Sequence, residues 1–310
     1  MPPFDSSYRP RLADLHPLRA PAMLAPPLAP APVTTSPADL ADRTGYDAGF
    51  LADFTVELPT PSPDRAGDVL QVEGSTGGRL DYTHFTVVMS KSRRFALFTA
   101  VNIDGGASTP VHRGDDHWAF DGRIPEDAQS GDALYANNDF DRGHLVRRED
   151  PNWGDMAATA NADTFHFTNC TPQLAAFNQT TWLSLEDFIL SNTRRWQERA
   201  TVFTGPVLKA DDPAYRDRRI PLTYWKVVAF LSDDGKPSAS AYMIEQDVDL
   251  GRESLIFGPF KTYQRSVLTI ESLTGLQFGE LSSYDGFSNE ERATGETVKR
   301  TIHAASDILL

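Results

Sequence analysis

Short runs of β-branched and aromatic residues, separated by turn signals, are the dominant pattern along the chain. HFTVVMS and RRFALFTAVNI are separated by only two residues, Lys91 and Ser92, which predicts an antiparallel hairpin. TYWKVVAFL and SASAYMIEQ flank SDDGKP, whose Asp-Gly pair predicts a second hairpin. TVFTGPVL predicts a further strand that ends at Gly205 and Pro206.

Helical periodicity is confined to two longer segments. In NQTTWLSLEDFILSNTRRWQERA (178–200), the large apolar residues fall on one narrow face at 100° per residue: Trp182, Leu185, Ile189 and Trp196. GPFKTYQRSVLTIESLTGL (258–276) is the second helical candidate, closed by Gly275. Many antiparallel strands with a few inserted helices predict an α+β protein with a central antiparallel sheet flanked by helices.

The first 40 residues differ from the rest in composition. They are rich in Pro, Ala and Leu, contain few charges and show neither a helical nor a strand period. This composition favours a flexible, partly polyproline-like leader. The remainder contains no internal repeat and no second linker of comparable length. We therefore predict a leader over residues 1–40 and one folded domain over 41–305.

Composition restricts the classes of protein and the location. A formal net charge of −14 argues against a protein that coats nucleic acid non-specifically, although a local arginine cluster could still bind a few phosphates. No apolar run is long enough to span a membrane, and the N-terminal segment does not have the pattern of a secretion signal. The only cysteine, Cys170, excludes an internal disulfide, and we expect it to be a small buried residue. The expected location is the cytoplasm, with no membrane association.

The stretch NNDFDRGHLVRREDPNWG (137–154) carries the clearest candidate chemistry. In an extended backbone Arg142 lies on the same side as His144, and Gly143 permits a close backbone approach. A neighbouring guanidinium disfavours the protonated imidazole, so His144 could remain a base at neutral pH. A base beside a fixed cation suits phosphodiester hydrolysis, because one group activates water and the other neutralises phosphate charge.

The long predicted helix offers a candidate metal site. Asn178 and Glu186 share one quadrant with Trp182, so both would point toward the protein, where a hydrated Mg²⁺ could satisfy them. The alternative, in which Asn178 caps the helix and Glu186 is a surface carboxylate, is equally compatible with the spacing. The dense metal motifs are missing from the sequence, and we expect His112 and His117 to be loop residues.

DRGH, then TNCTPQ, then FNQTTWLSLED resembles the DNA/RNA non-specific endonucleases of the ββα-metal (His-Me finger) group. Order and spacing both fit, and TVFTGPV and YWKVV downstream are also similar to that family. The resemblance spans residues 80–270 and implies the ββα-metal nuclease fold. Residues 1–80 have no counterpart in that family, and LVRREDPNWGD after DRGH is more charged than in many relatives.

The resemblance also implies roles for individual residues. His144 would be the general base that deprotonates water, Asn178 the direct protein ligand of Mg²⁺ (or Mn²⁺), and Glu186 the holder of a metal-bound water. Asn169 would help to shape the site.

Two arginines complete the implied site. Arg142 would contact phosphate, and Arg113, upstream of Trp118, is the best match to a further family arginine that binds substrate. The implied activity is Mg²⁺-dependent cleavage of DNA and RNA to 5′-phosphate ends. A catalytically inactive fold that only binds nucleic acid or protein, and a metal-independent phosphodiesterase, are the rival hypotheses. A homodimer and an inhibitory or regulatory partner are left open.

Overall fold

The computed structural model describes residues 33–114, 116–174, 190–191, 193, 198–232, 234–246, 248–249, 256–257, 261–302 and 307–308. Within these ranges, no helix combines the length and the hydropathy that a membrane-crossing helix needs. The helix predicted over 178–200 lies largely outside the described residues.

The described elements are mostly strands. In chain order they are β1 (Val33–Thr35), β2 (Thr60–Pro61), β3 (Arg79–Tyr82), β4 (Phe85–Met89), β5 (Ala96–Asp104), β6 (Ala119–Asp121), β7 (Phe140–His144), β8 (Cys170–Leu174), β9 (Arg199–Pro206), β10 (Ala214–Tyr215), β11 (Arg218–Arg219), β12 (Thr223–Leu231), β13 (Pro237–Glu245), β14 (Val248–Asp249), β15 (Ile256–Phe257), β16 (Lys261–Arg265), β17 (Leu276–Gln277) and β18 (Lys299–Ile302). The α-helices are α1 (Pro63–Ala66), α2 (Asp132–Tyr135), α3 (Ala157–Asp163), α4 (Val267–Thr274) and α5 (Gly286–Thr294).

The main sheet has eight strands in the order β18-β16-β13-β12-β9-β5-β4-β3. Every neighbouring pair is antiparallel. Both predicted hairpins, β4–β5 and β12–β13, are present, and β9 ends at Pro206 as predicted. The predicted α+β class with a central antiparallel sheet is confirmed.

Both faces of this sheet are covered by apolar side chains. Successive residues of a strand point to opposite faces, so β12 contributes to two clusters. Tyr224 and Val228 join the first cluster, whereas Trp225, Val227 and Ala229 join the second. A β-strand that is apolar on both faces is typical of a sheet sandwiched between other layers.

The two clusters also show on which face of the main sheet α4 and the β7–β8 hairpin pack. Val267 and Ile270 of α4 pack into the second cluster. Phe140, Cys170 and Leu174, which belong to the short β7–β8 hairpin, pack into the first. The hairpin that carries DRGH therefore lies on the opposite face of the main sheet from α4.

The helix predicted over 258–276 is wrong in its first half. Residues Lys261–Arg265 form β16, which pairs with β13 on one side and β18 on the other. These two ladders satisfy the backbone of the segment and override its helical pattern. Helix α4 begins only after Ser266, whose hydroxyl accepts a hydrogen bond from the Thr269 N–H at 2.9 Å. It ends, as predicted, at Gly275, which has a φ of 67°.

The predicted leader over residues 1–40 is too long at its C-terminal end. β1 pairs in parallel with β6, and Thr35 Oγ1 lies 2.9 Å from His166 Nε2. Leu40, the last residue of the predicted leader, is buried in the first apolar cluster. Folded structure therefore begins before residue 41, because long-range pairing supplies what the local composition lacks. For residues 1–32 the flexible leader stays a prediction.

Candidate active site

The DRGH residues lie on β7, which pairs with β8 so that His144 is opposite Cys170 and Arg142 opposite Pro172. The strand period of two places Arg142 and His144 on the same face, as predicted. Cys170 is fully buried, and burial raises the pKa of its thiol to about 12. This confirms the expectation of a small buried residue, because a thiol with such a pKa is protonated at neutral pH.

Gly143 is required by its neighbour across the hairpin. A Cβ at this position would lie 2.1 Å from the side-chain Cδ and Oε1 of Gln173. Such a contact is far inside van der Waals distance, so even alanine would displace Gln173 or the strand. The glycine of DRGH thus permits close packing of the two site strands, with Arg142 and His144 on either side of it.

Asn169 fixes the backbone that follows His144. Its Oδ1 accepts a hydrogen bond from the Val146 N–H at 2.9 Å, and its Nδ2 donates to the carbonyls of Val146 and Thr164, both at 3.0 Å. Its own carbonyl accepts from the Leu145 N–H at 2.9 Å. Asn169 is fully buried. These contacts agree with the expectation that Asn169 helps to shape the site.

We predict that Asn169→Ala lowers both stability and turnover. The substitution leaves three buried backbone groups without their partner, and each uncompensated group costs about 1–3 kcal/mol. Denaturant unfolding should show a loss of at least that size, and kcat should fall under conditions where the variant is folded. Asn289→Ala, at an exposed position on α5, is the matched control, with an expected change within about 0.5 kcal/mol. Equal unfolding midpoints for the two variants would contradict the assignment.

Aromatic rings enclose His144. The centroid of the imidazole lies 4.8 Å from that of Trp118 and 5.0 Å from that of Phe165, which meets it edge-on. Nε2 is buried and has no hydrogen-bond partner among the described residues. Nε2 is therefore closed to water, so a proton could pass between water and this half-buried ring only through Nδ1.

Burial lowers the pKa of His144 from its ordinary value of 6.5 to about 4. Among the nearby charges, Asp116 opposes this shift, whereas Arg113 and Arg148 add to it. The sequence-based expectation that Arg142 is the cation acting on the imidazole is therefore corrected. The Arg142 guanidinium is turned to the Asp132 carboxylate, with a 3.0 Å hydrogen bond from Nε, and lies over the Tyr135 ring.

This pKa gives a pH prediction for cleavage. If His144 is the general base, as the resemblance implies, its neutral imidazole is the active form, and this form is lost only as the pH falls through about 4. We expect kcat/KM to stay level from neutral pH down to about one unit above that pKa, and then to fall by about tenfold per unit below it. Circular dichroism at each pH would separate titration from unfolding. An inflection near 6.5 in the folded protein would contradict a desolvated base.

A cavity of about 160 Å³ opens beside Phe165. It is lined by Arg113, Gly114, His117, Arg148, Asn161, Ala162 and Phe165. His117 is a loop residue, as expected, and so is His112. Two guanidinium groups line this small cavity, Arg113 paired with Asp116 at 2.9 Å and Arg148 with Glu149 at 2.8 Å, and guanidinium groups are well suited to bind an anionic ligand.

Sequence reasoning missed Arg148 as a site residue. Its Nη1 donates to the Val111 carbonyl at 3.3 Å, and its Nη2 lies 2.8 Å from Glu149 Oε1. Arg148 thus links the segment after DRGH to the loop that carries Arg113. The available signal was its position four residues after His144, in an unusually charged segment.

The predicted metal residues, Asn178 and Glu186, lie outside the described residues, so the structure does not bring them to His144 or separate them from it. The described part of the chain contains no group of three His, Cys, Asp or Glu side chains that could hold a metal ion. A largely hydrated Mg²⁺ needs only one or two protein oxygens, so it requires no such group. The assignment of Asn178 and Glu186 to the metal therefore stays a prediction.

Comparison with known proteins shows a family match and several similar proteins. Residues 65–284 match the DNA/RNA non-specific endonuclease family. The chain is 40% identical over 300 residues to the uncharacterized protein y4fB of Sinorhizobium fredii, covering 88% of this chain and 44% of that protein. It is 29% identical over 159 residues to mitochondrial endonuclease G of Homo sapiens, covering 47% and 50%. A nuclease of Nostoc sp. is 29% identical over 150 residues, covering 47% and 53%.

The fold is also similar to that of a solved structure, the EndoG/EndoGI complex. The TM-score is 0.50 at 20% identity, covering 66% of this chain and 86% of that one. This likeness confirms the expected ββα-metal nuclease fold. The chain spans about half the length of the curated relatives it matches.

Proposed function

The chain belongs to the DNA/RNA non-specific endonuclease family, and we propose that it is a metal-dependent endonuclease that cuts both DNA and RNA. One observation carries the proposal: the neutral, desolvated imidazole of His144 lies next to a cavity lined by Arg113 and Arg148. A base and fixed cations at one place are the two requirements of phosphodiester hydrolysis. Binding through phosphate rather than through base edges accounts for cleavage of any sequence.

His144 begins the proposed reaction. Nδ1 of its imidazole takes a proton from water while the water oxygen forms a bond to phosphorus, in line with the bond to the 3′ oxygen. That bond breaks, its electron pair stays on the 3′ oxygen, and this oxygen takes up a proton from solvent. The products carry a 5′-phosphate and a 3′-hydroxyl.

The guanidinium groups have separate proposed roles. Arg113, which is largely exposed, and Arg148 stabilise negative charge on the phosphate at the cavity. Arg142 is about one-third exposed and ion-paired with Asp132, so its guanidinium is already oriented when a phosphate arrives. Asn169 acts only as a positioning residue, through the backbone that follows His144.

Mg²⁺, or Mn²⁺ in its place, is the proposed metal. When bound, it would stabilise charge on the pentavalent phosphorus and on the leaving oxygen. Asn178 would supply the direct protein oxygen, and Glu186 would hold a metal-bound water. Both side chains offer the oxygen donors that hard cations prefer.

Two rival functions remain testable. A catalytically inactive nuclease fold would bind nucleic acid or protein without cutting, but such a fold would be expected to lack at least one of His144, Asn178 and Glu186. A metal-independent phosphodiesterase would rely on the histidine alone.

Incubation of supercoiled plasmid and of a long single-stranded RNA, with Mg²⁺ or with EDTA, tests the proposal. We expect cleavage of both substrates with Mg²⁺, none with EDTA, and 5′-phosphate ends that a ligase can join. Cleavage in EDTA would identify the metal-independent enzyme. Absence of cleavage under both conditions would identify the inactive fold.

We further propose that the leader restrains this enzyme in the cytoplasm, either by covering the substrate groove or by binding a controlling partner. The motive is that an unspecific nuclease endangers its own cell, and the Pro/Ala-rich leader is the clearest segment outside the catalytic domain. Removal of residues 1–32 leaves β1 in place and should raise the rate of plasmid cleavage. Removal of residues 1–40 also deletes β1 and Leu40 and should lower the melting temperature. Equal cleavage rates, and equal toxicity on expression, for the full chain and the shorter deletion would exclude restraint by the leader.

A further inference from the structure

A small arginine-rich hairpin lies beside the catalytic strand. β10 and β11 pair antiparallel around a turn at Arg216 and Asp217, and Arg218 and Arg219 follow directly. We call residues 214–219 the arginine hairpin. None of these residues belongs to the site described above.

The arginine hairpin is docked on α2. The Arg216 guanidinium donates to the carbonyls of Ala133 and Ala136, the latter at 2.6 Å. Arg218 Nε donates to Ser130 Oγ at 2.8 Å, just before the helix. Because the C-terminal carbonyls of a helix carry partial negative charge, they stabilise a guanidinium placed there.

The same helix contacts the DRGH strand. Asp132, the first residue of α2, is the carboxylate that pairs with Arg142. A helix of four residues is about 6 Å long, so Arg142 and Arg216 lie at its two ends. The hairpin also contacts the strand itself, since the rings of Tyr215 and Phe140 meet edge-on at 5.5 Å.

Backbone strain is concentrated in this region. Five non-glycine residues in the described part of the chain have positive φ, and three of them are Arg94 (60°), Asn137 (54°) and Arg216 (53°). Arg94 and Asn137 are tied to the same assembly. The Arg94 carbonyl accepts from Ser130 Oγ at 3.0 Å, and Asn137 connects α2 to β7. Left-handed backbone at non-glycine residues costs free energy and is concentrated at functional sites.

The charges of Arg216 and Arg219 are available to a ligand. Both residues are exposed. In the described part of the chain their hydrogen bonds go to backbone carbonyls, those of α2 for Arg216 and that of Asp212 for Arg219. The carboxylates nearby are engaged by other arginines, Asp217 by Arg94 and Arg218, and Asp212 by Arg93.

We propose that the arginine hairpin binds phosphates of the nucleic-acid strand beyond the bond that is cut. A nucleic-acid strand carries evenly spaced anions, and guanidinium groups are well suited to bind phosphate. Arg142 and Arg216 then place cations at the two ends of α2, and Arg219 adds one in the same hairpin, in a chain whose net charge of −14 would otherwise repel the substrate. This inference rests on the proposed nuclease function and adds to it a second contact surface for the same substrate.

Binding as a function of salt tests the proposal directly. The measurement is the Kd of a fluorescent DNA duplex at a series of KCl concentrations, with His144→Ala as the background so that cleavage is slowed by on the order of 10²–10⁴-fold. Each phosphate contact contributes about −0.9 to the slope of log affinity against log salt. We expect Arg219→Gln to weaken binding at low salt and to reduce the magnitude of the slope by about 0.9. Addition of Arg216→Gln should reduce it by about as much again.

The control is Arg199→Gln. Arg199 is a half-exposed arginine at the start of β9, whereas the arginine hairpin follows the end of that strand. The eight residues of β9 separate the two ends by about 25 Å. Arg199→Gln should leave the slope of log affinity against log salt equal to that of the His144→Ala background. The Arg219 side chain donates to the Asp212 carbonyl of the same loop, so Arg219→Gln tests charge without disturbing α2.

The outcomes are distinguishable. A smaller slope for Arg219→Gln but not for Arg199→Gln supports the proposal. Slopes equal to that of the background for both variants overturn it and leave an acidic protein as the ligand class for these arginines. If the unmodified chain neither cuts nor binds nucleic acid, the proposed function itself fails, and this result is separate from the other two.

Discussion

Replacing His144 by alanine is expected to lower the rate of DNA and RNA cleavage by on the order of 10²–10⁴-fold, the usual contribution of a general base. The structural reason is the environment of the imidazole, which packs against Trp118 and Phe165 and remains neutral down to a pH of about 4. Alanine leaves the aromatic wall and the β7–β8 pairing in place, so fold and DNA affinity should change little.

His84 provides the matched control for this experiment. It too is a partly buried histidine beside a tryptophan, its ring stacked on Trp153 at 3.4 Å, and burial lowers its pKa. Because it has a φ of 67°, asparagine is the replacement that the backbone tolerates best. His84→Asn should cleave at close to the unmodified rate. If His144→Ala kept more than about a tenth of that rate, it would fall outside the range for a general base, and the assignment would be wrong.

The sequence predicted the fold best where local pattern and tertiary pairing agree. The strands of β4–β5 and β12–β13 are apolar, β-branched and bounded by turns, and they form the centre of the sheet. The segment 261–265 shows the opposite case. Its residues can be arranged with helical period, yet Thr262 and Gln264 are buried in a strand with partners on both sides. A local periodicity carries no information about hydrogen-bonded ladders that are formed with distant strands.

The N-terminal boundary failed for a related reason. β1 has only three residues, and its partner β6 lies far along the chain. The proline and alanine residues around β1 give no strand signal. The strand is stabilised by its pairing with β6 and by the contact between Thr35 and His166. Composition describes what a segment can do alone, and this one is folded only against the rest of the domain.

The candidate site was predictable as a motif but not as an electrostatic arrangement. DRGH identified His144 and Arg142 because they lie two residues apart in one short motif. The cations that act on the imidazole are instead Arg113 and Arg148, and Asp132 holds Arg142. Arg113 reaches the site from a separate loop, so only the folded chain shows that it shares a cavity with Arg148.

Asn178→Ala is expected to abolish Mg²⁺-dependent cleavage, because the proposed metal has this amide as its direct protein ligand. Loss of that oxygen removes the contact that fixes the ion relative to His144, and bulk water cannot restore the position. Glu186→Gln should have a smaller effect, about 10–100-fold in metal affinity or activity, because that carboxylate acts through a metal-bound water. The order of the two effects is the specific prediction.

Two measurements separate metal binding from catalysis. Cleavage rates are measured against Mg²⁺ concentration for each variant, and Mg²⁺ or Mn²⁺ binding is measured by calorimetry in the His144→Ala background, where no turnover occurs. Asn178→Ala should show no saturation in either experiment, whereas Glu186→Gln should saturate at a higher concentration. An Asn178→Ala enzyme with an unchanged Mg²⁺ requirement would refute the ligand assignment. It would favour the alternative in which Asn178 only caps its predicted helix, since loss of a cap costs about 1 kcal/mol of stability and leaves the metal requirement unaffected.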